Sequence, residues 1–208
     1  MSNPNPLQAA SYLLSVHNPH QLPLDSQIEV AVVGRSNAGK SSALNAICAQ
    51  TKLARTSKTP GRTQQLVYFS VADGRYLVDL PGYGYAEVPG ALRDHWRGLI
   101  DGYLRQRRSL IGLMIVMDIR HPLKPFDLTM LEYAGSRGLA VHVLLTKADK
   151  LPRGQQAKAL QAVRKELPPE VGLQLFSASS KLGVDEARAV LAGWLQLLPS
   201  ADQAATPA

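Results

Sequence analysis

The distribution of apolar and polar residues predicts strands and helices that alternate along most of the chain. Residues 28–33 are almost all apolar and mostly β-branched, which is typical of a strand buried in a parallel sheet. Residues 66–71 and 75–80 are two further β-rich runs joined by Asp73-Gly74, a dipeptide that favours a β-hairpin. The pattern predicts a doubly wound α/β fold with a mostly parallel sheet, one antiparallel edge strand and helices on both faces. The other predicted elements are strands over 110–118, 140–146 and 173–177, and helices over 41–50, 91–108, 126–137, 153–167 and 184–198.

The two ends of the chain differ from this middle part. Prolines at 4, 6, 19 and 23 predict an N-terminal extension over residues 1–26, in which only residues 7–16 could form a short helix. Residues 27–198 then form one domain, because a chain of 208 residues with 45% hydrophobic composition can bury one sizeable core and hardly two. Residues 199–208 are small and polar, which predicts a disordered tail.

A glycine-rich motif follows the first strand of the domain. Residues 34–41 read G-x-x-x-x-G-K-S, and the apolar residues after them have helical spacing. A loop between a strand and a helix N-terminus favours an anion, because unpaired N–H groups and the helix dipole act together there. The glycines let the backbone curl around a phosphate, the lysine would reach the β- and γ-phosphates, and the first serine would place its hydroxyl on Mg²⁺. The predicted contacts with a nucleoside phosphate are Gly34, Arg35, Ser36, Asn37, Ala38, Gly39, Lys40, Ser41 and Ser42.

A second motif ends the strand that is expected beside the first one. Asp79-Leu80-Pro81-Gly82 fits D-x-x-G, in which the carboxylate reaches Mg²⁺ through a water and the glycine N–H meets the γ-phosphate. Alone, this segment could be an ordinary turn. Its place after a phosphate-binding loop favours the functional interpretation.

Two further motifs at strand ends predict that the bound base is guanine. Residues 146–149 fit [NT]-K-x-D, in which the carboxylate accepts a pair of N–H groups that guanine has and adenine lacks, and the lysine stem covers the base. Residues 177–179 could present a backbone N–H to guanine O6, and their position rather than their composition supports this role. The predicted base contacts are Thr146, Lys147, Ala148, Asp149, Ser177, Ala178 and Ser179.

Charge and cysteine usage narrow the class of protein further. The net charge is +7 and the sequence pI is about 9.7. No acidic residue lies between Glu29 and Asp73, which suggests a polyanionic partner beyond the nucleotide. One cysteine, Cys48, excludes a disulfide framework and suits a reducing cytoplasm, and we expect neither a signal peptide nor a membrane span. The basic residues between the two acidic ones are Arg35, Lys40, Lys52, Arg55, Lys58 and Arg62.

In this order, the four motifs resemble the translation-factor-related GTPases. The sequences of residues 58–64, 79–86 and 118–123 narrow the resemblance to the EngB family of bacterial ribosome-assembly GTPases, within the Era-like group. The resemblance extends over roughly residues 20–197 and makes residues 27–198 a GTP-binding domain of the P-loop NTPase fold. It implies a cytoplasmic GTPase that acts in assembly of the large ribosomal subunit and is needed for normal cell division and septation.

The resemblance also implies which threonine belongs to the first mobile loop. Sequence alone leaves Thr56, Thr59 and Thr63 open as the threonine that ligates Mg²⁺, and the family pattern selects Thr63. The surrounding loop would then close over the γ-phosphate in the GTP state. The implied nucleotide contacts in this loop are Gly61, Arg62, Thr63, Gln64 and Gln65.

The chemistry that the resemblance implies is slow hydrolysis of GTP. Tyr83 stands where many GTPases have a glutamine that orients the attacking water, so we expect unaided turnover far below one per second. Asn37 resembles a residue that helps to hold K⁺ beside the phosphates in potassium-stimulated relatives. The implied catalytic residues are Lys40, Thr63 and Gly82, and Mg²⁺ is expected on Ser41 and Thr63, with Asp79 acting through a water.

Two other functions fit part of the pattern. A metabolic P-loop kinase or ATPase would have no reason to carry the guanine motif, and a non-catalytic scaffold would not need Lys40, Ser41 and Asp79, which are intact. For the GTPase we expect a monomer whose partners are GTP or GDP, ribosomal RNA and the large ribosomal subunit. The residues expected to present positive charge to RNA near the nucleotide, besides those of the first mobile loop, are Arg105, Arg107 and Arg108.

Overall fold

Strands and helices alternate along the chain. The computed structural model describes residues 5–54, 65–82 and 90–197, with the backbone alone for residues 90–97. Two short 3₁₀ turns lie at Pro6–Ala9 and Pro19–Gln21, and a third at Ala148–Lys150. The strands are β1 (Ser11–Val16), β2 (Ile28–Gly34), β3 (Leu66–Ala72), β4 (Arg75–Asp79), β5 (Leu110–Asp118), β6 (Ala140–Thr146) and β7 (Gly172–Leu175). The helices are α1 (Lys40–Ile47), α2 (Gly90–Gln106), α3 (Pro125–Arg137), α4 (Arg153–Glu166) and α5 (Val184–Trp194).

The seven strands of the described part of the chain form one sheet in the order β1-β3-β4-β2-β5-β6-β7. Strand β3 runs antiparallel to both of its neighbours, whereas β4, β2, β5, β6 and β7 pair in parallel. Strand order reverses beside β2, so the carboxyl ends of β2, β4, β5 and β6 meet at one edge. In open α/β sheets this switch point is where ligands bind.

Helices cover both faces of the sheet, as predicted. Alternating residues of β2 show why: Val30 and Val32 pack with α1 and α5, whereas Ala31 and Val33 pack on the other face with α2, α3 and α4. The strand is therefore apolar on both sides, which is the reason for its unbroken hydrophobic sequence. The α/β fold class and the mostly parallel sheet are confirmed.

The helix predicted over residues 7–16 is wrong. The chain forms the 3₁₀ turn and then β1, which pairs antiparallel with β3 from Ser11 opposite Ser70 to Val16 opposite Leu66. Residues 11–16 form a strand and no helix because β3 would otherwise leave the backbone groups on its outer side unpaired. The antiparallel strand of the sheet is thus β3, and β1 lies outside it at the edge.

The remaining predicted elements lie within a few residues of the observed ones. The hairpin turn forms at Asp73-Gly74, where Gly74 has a φ of +63° that suits glycine. Among the described residues, no helix is both long enough and apolar enough to cross a membrane. The predicted disordered tail, 199–208, lies outside the described residues.

Candidate nucleotide-binding site

The phosphate-binding loop leaves β2 at Gly34 and enters α1 at Lys40. A Cβ on Gly34 would lie 2.6 Å from the backbone oxygen of Val116 in β5. This is too close for any side chain, so only glycine fits at this position. Asn37 and Gly39 have φ values of +61° and +95°, so the chain turns sharply through the left-handed region twice. The sequence therefore builds a tight loop at the carboxyl end of the central strand.

Gly39 precedes α1 and has no side chain that could cap the helix N-terminus. The first intrahelical hydrogen bond runs from the Ala43 N–H to the Gly39 carbonyl at 2.8 Å. The N–H groups before Ala43 have no intrahelical acceptor in such a turn. With the helix dipole, they provide a site for phosphate oxygens. Ser41 and Ser42 belong to this first turn, as the motif predicted.

The D-x-x-G segment lies directly against this loop. Asp79 ends β4, opposite Val32 of β2, and its carboxylate forms an ion pair with the Lys40 ammonium group. A Cβ on Gly82 would lie 3.0 Å from the backbone nitrogen of Ser36, so Gly82 packs against the loop backbone. The structure therefore brings the first two motifs together.

The residues present fit the Mg²⁺ that such a site implies. A serine hydroxyl and a carboxylate are the hard oxygen donors that this ion takes, and it is bound through few protein groups together with phosphates. Among the described residues, no three His, Cys, Asp or Glu side chains form a cluster that could hold a metal alone. Ser41 and Asp79 would hold the ion together with a bound nucleotide, and the predicted ligand Thr63 lies outside the described residues.

The [NT]-K-x-D motif is hydrogen-bonded to the phosphate loop through the side chains of Thr146 and Lys147. The Thr146 hydroxyl lies 2.5 Å from the Ala38 carbonyl oxygen and 2.9 Å from that of Met117, so one donor is shared between the loop and β5. Lys147 has a φ of +58°, and its ammonium group donates to the Asn37 carbonyl at 2.5 Å. The lysine stem thus lies along the loop, where it can cover a base.

Residues 177–179 position the Asp149 carboxylate, which is predicted to bind the guanine base. The Ser177 hydroxyl donates to Asp149 Oδ1 at 2.6 Å and lies 3.0 Å from the Ser179 hydroxyl. The Ser177 hydrogen bond, with a smaller contribution from the neighbouring Lys150, lowers the pKa of Asp149. Asp149 is therefore ionised at neutral pH and can accept hydrogen bonds. The N–H of Ala148 donates to the Phe176 carbonyl, which links the ends of β6 and β7.

One participant of the site had no assigned role in the sequence analysis. Asp118, at the end of β5, accepts hydrogen bonds from Arg120 at 2.6 Å and lies 3.0 Å from the Lys147 ammonium nitrogen. Burial alone would raise the pKa of Asp118, but the hydrogen bonds from Arg120 and Lys147 outweigh it and lower the pKa. The charged carboxylate holds Lys147 in place. Its position at a strand end was the signal that could have identified it.

The arginines predicted to lie near the nucleotide are elsewhere, and for Arg107 the prediction of an RNA contact is wrong. Arg107 is 6% exposed and binds the fully buried Glu29 carboxylate, with Nη2 2.5 Å from Oε1. Glu29 is the second residue of β2, about 16 Å of strand away from Gly34. Arg108 is 84% exposed, but it pairs with Asp25 at this same distant end of the sheet. Arg105 is also exposed, stacked over the Tyr133 ring.

Part of the predicted site lies outside the residues that the structure describes. These residues are Gly61, Arg62, Thr63, Gln64 and Tyr83, together with the basic residues Arg55 and Lys58. Gln65 is described and directly precedes β3. Ala178 packs against the core between Ser177 and Ser179.

Comparisons with known proteins agree with this geometry. The family described as 50S ribosome-binding GTPase matches residues 29–147. A probable GTP-binding protein EngB of Xylella fastidiosa (strain Temecula1) is 60% identical over 200 residues, which are 94% of this chain and 98% of the relative. A protein of the same name from Xanthomonas campestris pv. campestris (strain 8004) is 60% identical over 195 residues, or 92% and 94% of the two chains. The crystal structure of a probable GTP-binding protein engB has a TM-score of 0.65 at 17% identity over 82% of this chain and 100% of that one, and shows the fold alone.

Proposed function

Because the chain belongs to the EngB family of GTP-binding proteins, we propose that it is a GTP-hydrolysing switch in assembly of the large ribosomal subunit. We also propose that normal cell division and septation require this role in ribosome assembly. Support comes from the family description, which names the 50S ribosomal subunit, and from the positive charge of +7. We further propose that the protein works as a monomer in the cytoplasm.

The observation that carries the proposal is the set of contacts between the guanine motifs and the phosphate loop. Lys147 and Thr146 each bond to a carbonyl of the loop, and Ser177 orients the Asp149 carboxylate. An ATP-binding kinase has no use for an ionised, oriented carboxylate at this position, since adenine offers it no paired donors. The ATPase and scaffold alternatives receive no comparable support.

The residues of the loop have distinct roles in the proposed hydrolysis. The ion pair with Asp79 holds Lys40 beside the loop until a nucleotide arrives, and its ammonium group then contacts the β- and γ-phosphate oxygens. Gly82 presents its N–H to the γ-phosphate, and Thr63 completes the metal site. Ser41 would hold a Mg²⁺ directly and Asp79 through a water, and the ion would neutralise part of the phosphate charge.

Hydrolysis should be slow in the absence of a partner. Charge stabilisation and a well-placed water supply most of the rate in such enzymes, and a missing water-orienting residue leaves turnover far below one per second. Tyr83 has no amide that could orient the water. A K⁺ held near Asn37 would supply part of the positive charge that stabilises the transition state.

Two measurements test the proposal together. In a competition assay, GTP should displace labelled GDP while ATP at equal concentration should not, and displacement by ATP would remove the guanine assignment. In sedimentation at moderate salt, a GTP analogue but not GDP should carry the protein into the pellet with large ribosomal subunits, and phosphate contacts should make this binding fall with salt. Equal pelleting in both nucleotide states would refute the switch, and no pelleting in either would refute the ribosomal role.

A further inference from the structure

Four exposed basic side chains lie at the carboxyl edge of the sheet, in the loops that follow β5 and β6 or at the start of the next helix. The Arg120 side chain is 43% exposed and that of Lys150 62%, although each lies beside a carboxylate. None of the four belongs to the predicted contacts with the nucleotide. By contrast, Arg107 and Arg108, which the sequence suggested as RNA contacts, lie at the opposite edge. The four residues, here called the basic rim, are Arg120, Lys124, Lys150 and Arg153.

The fold places the two loops side by side. Strands β5 and β6 pair in parallel, with Asp118 opposite Thr146 at their carboxyl ends, and neighbouring strands lie about 5 Å apart. The Ile119 N–H donates to the Thr146 carbonyl at 3.0 Å, which attaches the first loop to the second strand. Helices α3 and α4, which begin at Pro125 and Arg153, pack on the same face of the sheet. The basic rim therefore occupies one region of the surface.

Positive charge exceeds negative charge in this region. Residues 118–124 and 147–153 contain five basic side chains and two carboxylates, so they carry +3 of the protein's net charge of +7. One of the carboxylates, Asp118, already binds two of the basic groups. Asp127, in the first turn of α3, is 1% exposed and offers little negative charge to the solvent. The region therefore presents net positive charge to a partner.

The composition of the two loops favours a phosphate-rich partner over a protein. Among the described residues, none of the exposed large apolar side chains lies in 118–124 or 147–153. Protein interfaces depend on a few buried aromatic or aliphatic anchors, which these loops do not offer. Nucleic-acid backbones are bound mainly by clustered lysine and arginine side chains, which they do offer.

We propose that the basic rim binds the phosphate backbone of ribosomal RNA, on the base side of the nucleotide site. The inference rests on the proposed function, which supplies the RNA, and it adds the surface that contacts it. Strand β4, which leads to the D-x-x-G segment, lies on the other side of β2 from β5. The basic rim should therefore strengthen RNA binding by the same factor in the GTP and GDP states, while the γ-phosphate acts on the other half of the molecule.

The double variant Lys124→Ala/Arg153→Ala tests the basic rim, because neither side chain is bonded to Asp118 or Asp149. Its binding to protein-free ribosomal RNA is measured across a series of KCl concentrations, with a GTP analogue and with GDP. Each lost phosphate contact should lower the slope of log affinity against log salt by about 0.7 to 0.9, or about 1.4 to 1.8 for two contacts. At about 0.1 M salt, this slope change corresponds to roughly 25-fold to 60-fold weaker binding in both nucleotide states.

Arg108→Ala/Lys165→Ala is the charge-matched control. Both of its side chains are exposed, and Lys165 lies about 18 Å along α4 from Arg153. This control should keep the affinity and salt slope of the wild type, and the GDP affinity of each variant checks that the nucleotide site is intact.

Three results would overturn the proposal. Equal losses in the two double variants would show that net charge alone explains the binding, and wild-type binding by Lys124→Ala/Arg153→Ala would show that the basic rim does not contact RNA. If that variant bound protein-free RNA normally but no longer pelleted with large ribosomal subunits, the partner of the basic rim would be a ribosomal protein. A loss confined to the rim variant, with equal wild-type affinities in the GTP and GDP states, would support the basic rim and refute the switch. A wild-type protein that bound no RNA in either state would overturn both proposals.

Discussion

Replacement of Arg107 by alanine should destabilise the fold strongly while leaving the nucleotide site intact. The Arg107 guanidinium makes three contacts of 3.2 Å or less with Glu29, whose other hydrogen bonds come from the Tyr68 and Tyr103 hydroxyls at 3.1 and 3.0 Å. Without the arginine, a fully buried carboxylate keeps two neutral donors and no counter-charge. Removing one partner of a buried ion pair costs about 3–5 kcal/mol. The remaining tyrosine bonds place the expected loss near the lower limit, at about 3 kcal/mol.

Urea denaturation of the GDP complex and of the free protein measures this loss. Arg108→Ala is the matched control, since Arg108 is the next residue in the chain, its side chain is 84% exposed, and its loss should cost less than about 0.5 kcal/mol. The double variant Glu29→Gln with Arg107→Met, which removes both charges, should be more stable than Arg107→Ala alone. A loss below about 1 kcal/mol for Arg107→Ala, the range of exposed ion pairs, would refute the reasoning. A loss of ribosomal-subunit binding without a loss of stability would restore Arg107 as a contact residue.

Three further predictions follow from the site and its surroundings. Asp149→Asn should weaken GTP and GDP binding by several kcal/mol and favour xanthine nucleotides, measured by competition; unchanged GDP affinity would contradict the assignment. Burial alone would raise the pKa of Asp25, but hydrogen bonds from the Ser109 and Arg108 N–H groups lower it to about 2. The stabilising effect of Asp25 should therefore be fully present above the ordinary aspartate pKa of 3.8 and be lost as the pH falls through about 2. Acid unfolding of Asp25→Asn should therefore lack this component; identical acid transitions would count against it. Hydrolysis of GTP should be faster in KCl than in NaCl, and Asn37→Ala should remove the difference; equal rates in both salts would exclude a role for K⁺.

The parts of the structure that could be predicted from sequence are those set by local chemistry. The sequence from 28 to 41 combines a buried strand, two glycines and a helix start, and each of these requirements is visible in adjacent residues. Asp79 and Thr146 could be placed because parallel strands that leave the same edge bring their carboxyl ends together. The side-chain contacts of Asp149 and Ser177 then follow from strand order.

The failures arise where a distant partner decides the outcome. Residues 11–16 form a strand because β3 provides an edge to pair with, and the paired residues of β3 lie 50 to 59 positions away in the sequence. Arg107 resembles its neighbours at 105 and 108 in sequence, and only the fold shows that it faces buried Glu29.

The contacts from Thr146 and Lys147 to the phosphate loop have a consequence for nucleotide release. They connect the segment that reads the base to the carbonyls of Ala38 and Asn37, so neither half of the site can shift far without straining the other. A partner that displaces the turn after β6 would weaken phosphate binding without contacting the phosphates. We therefore expect that a partner bound on the base side of the site would also change the geometry of the phosphate loop.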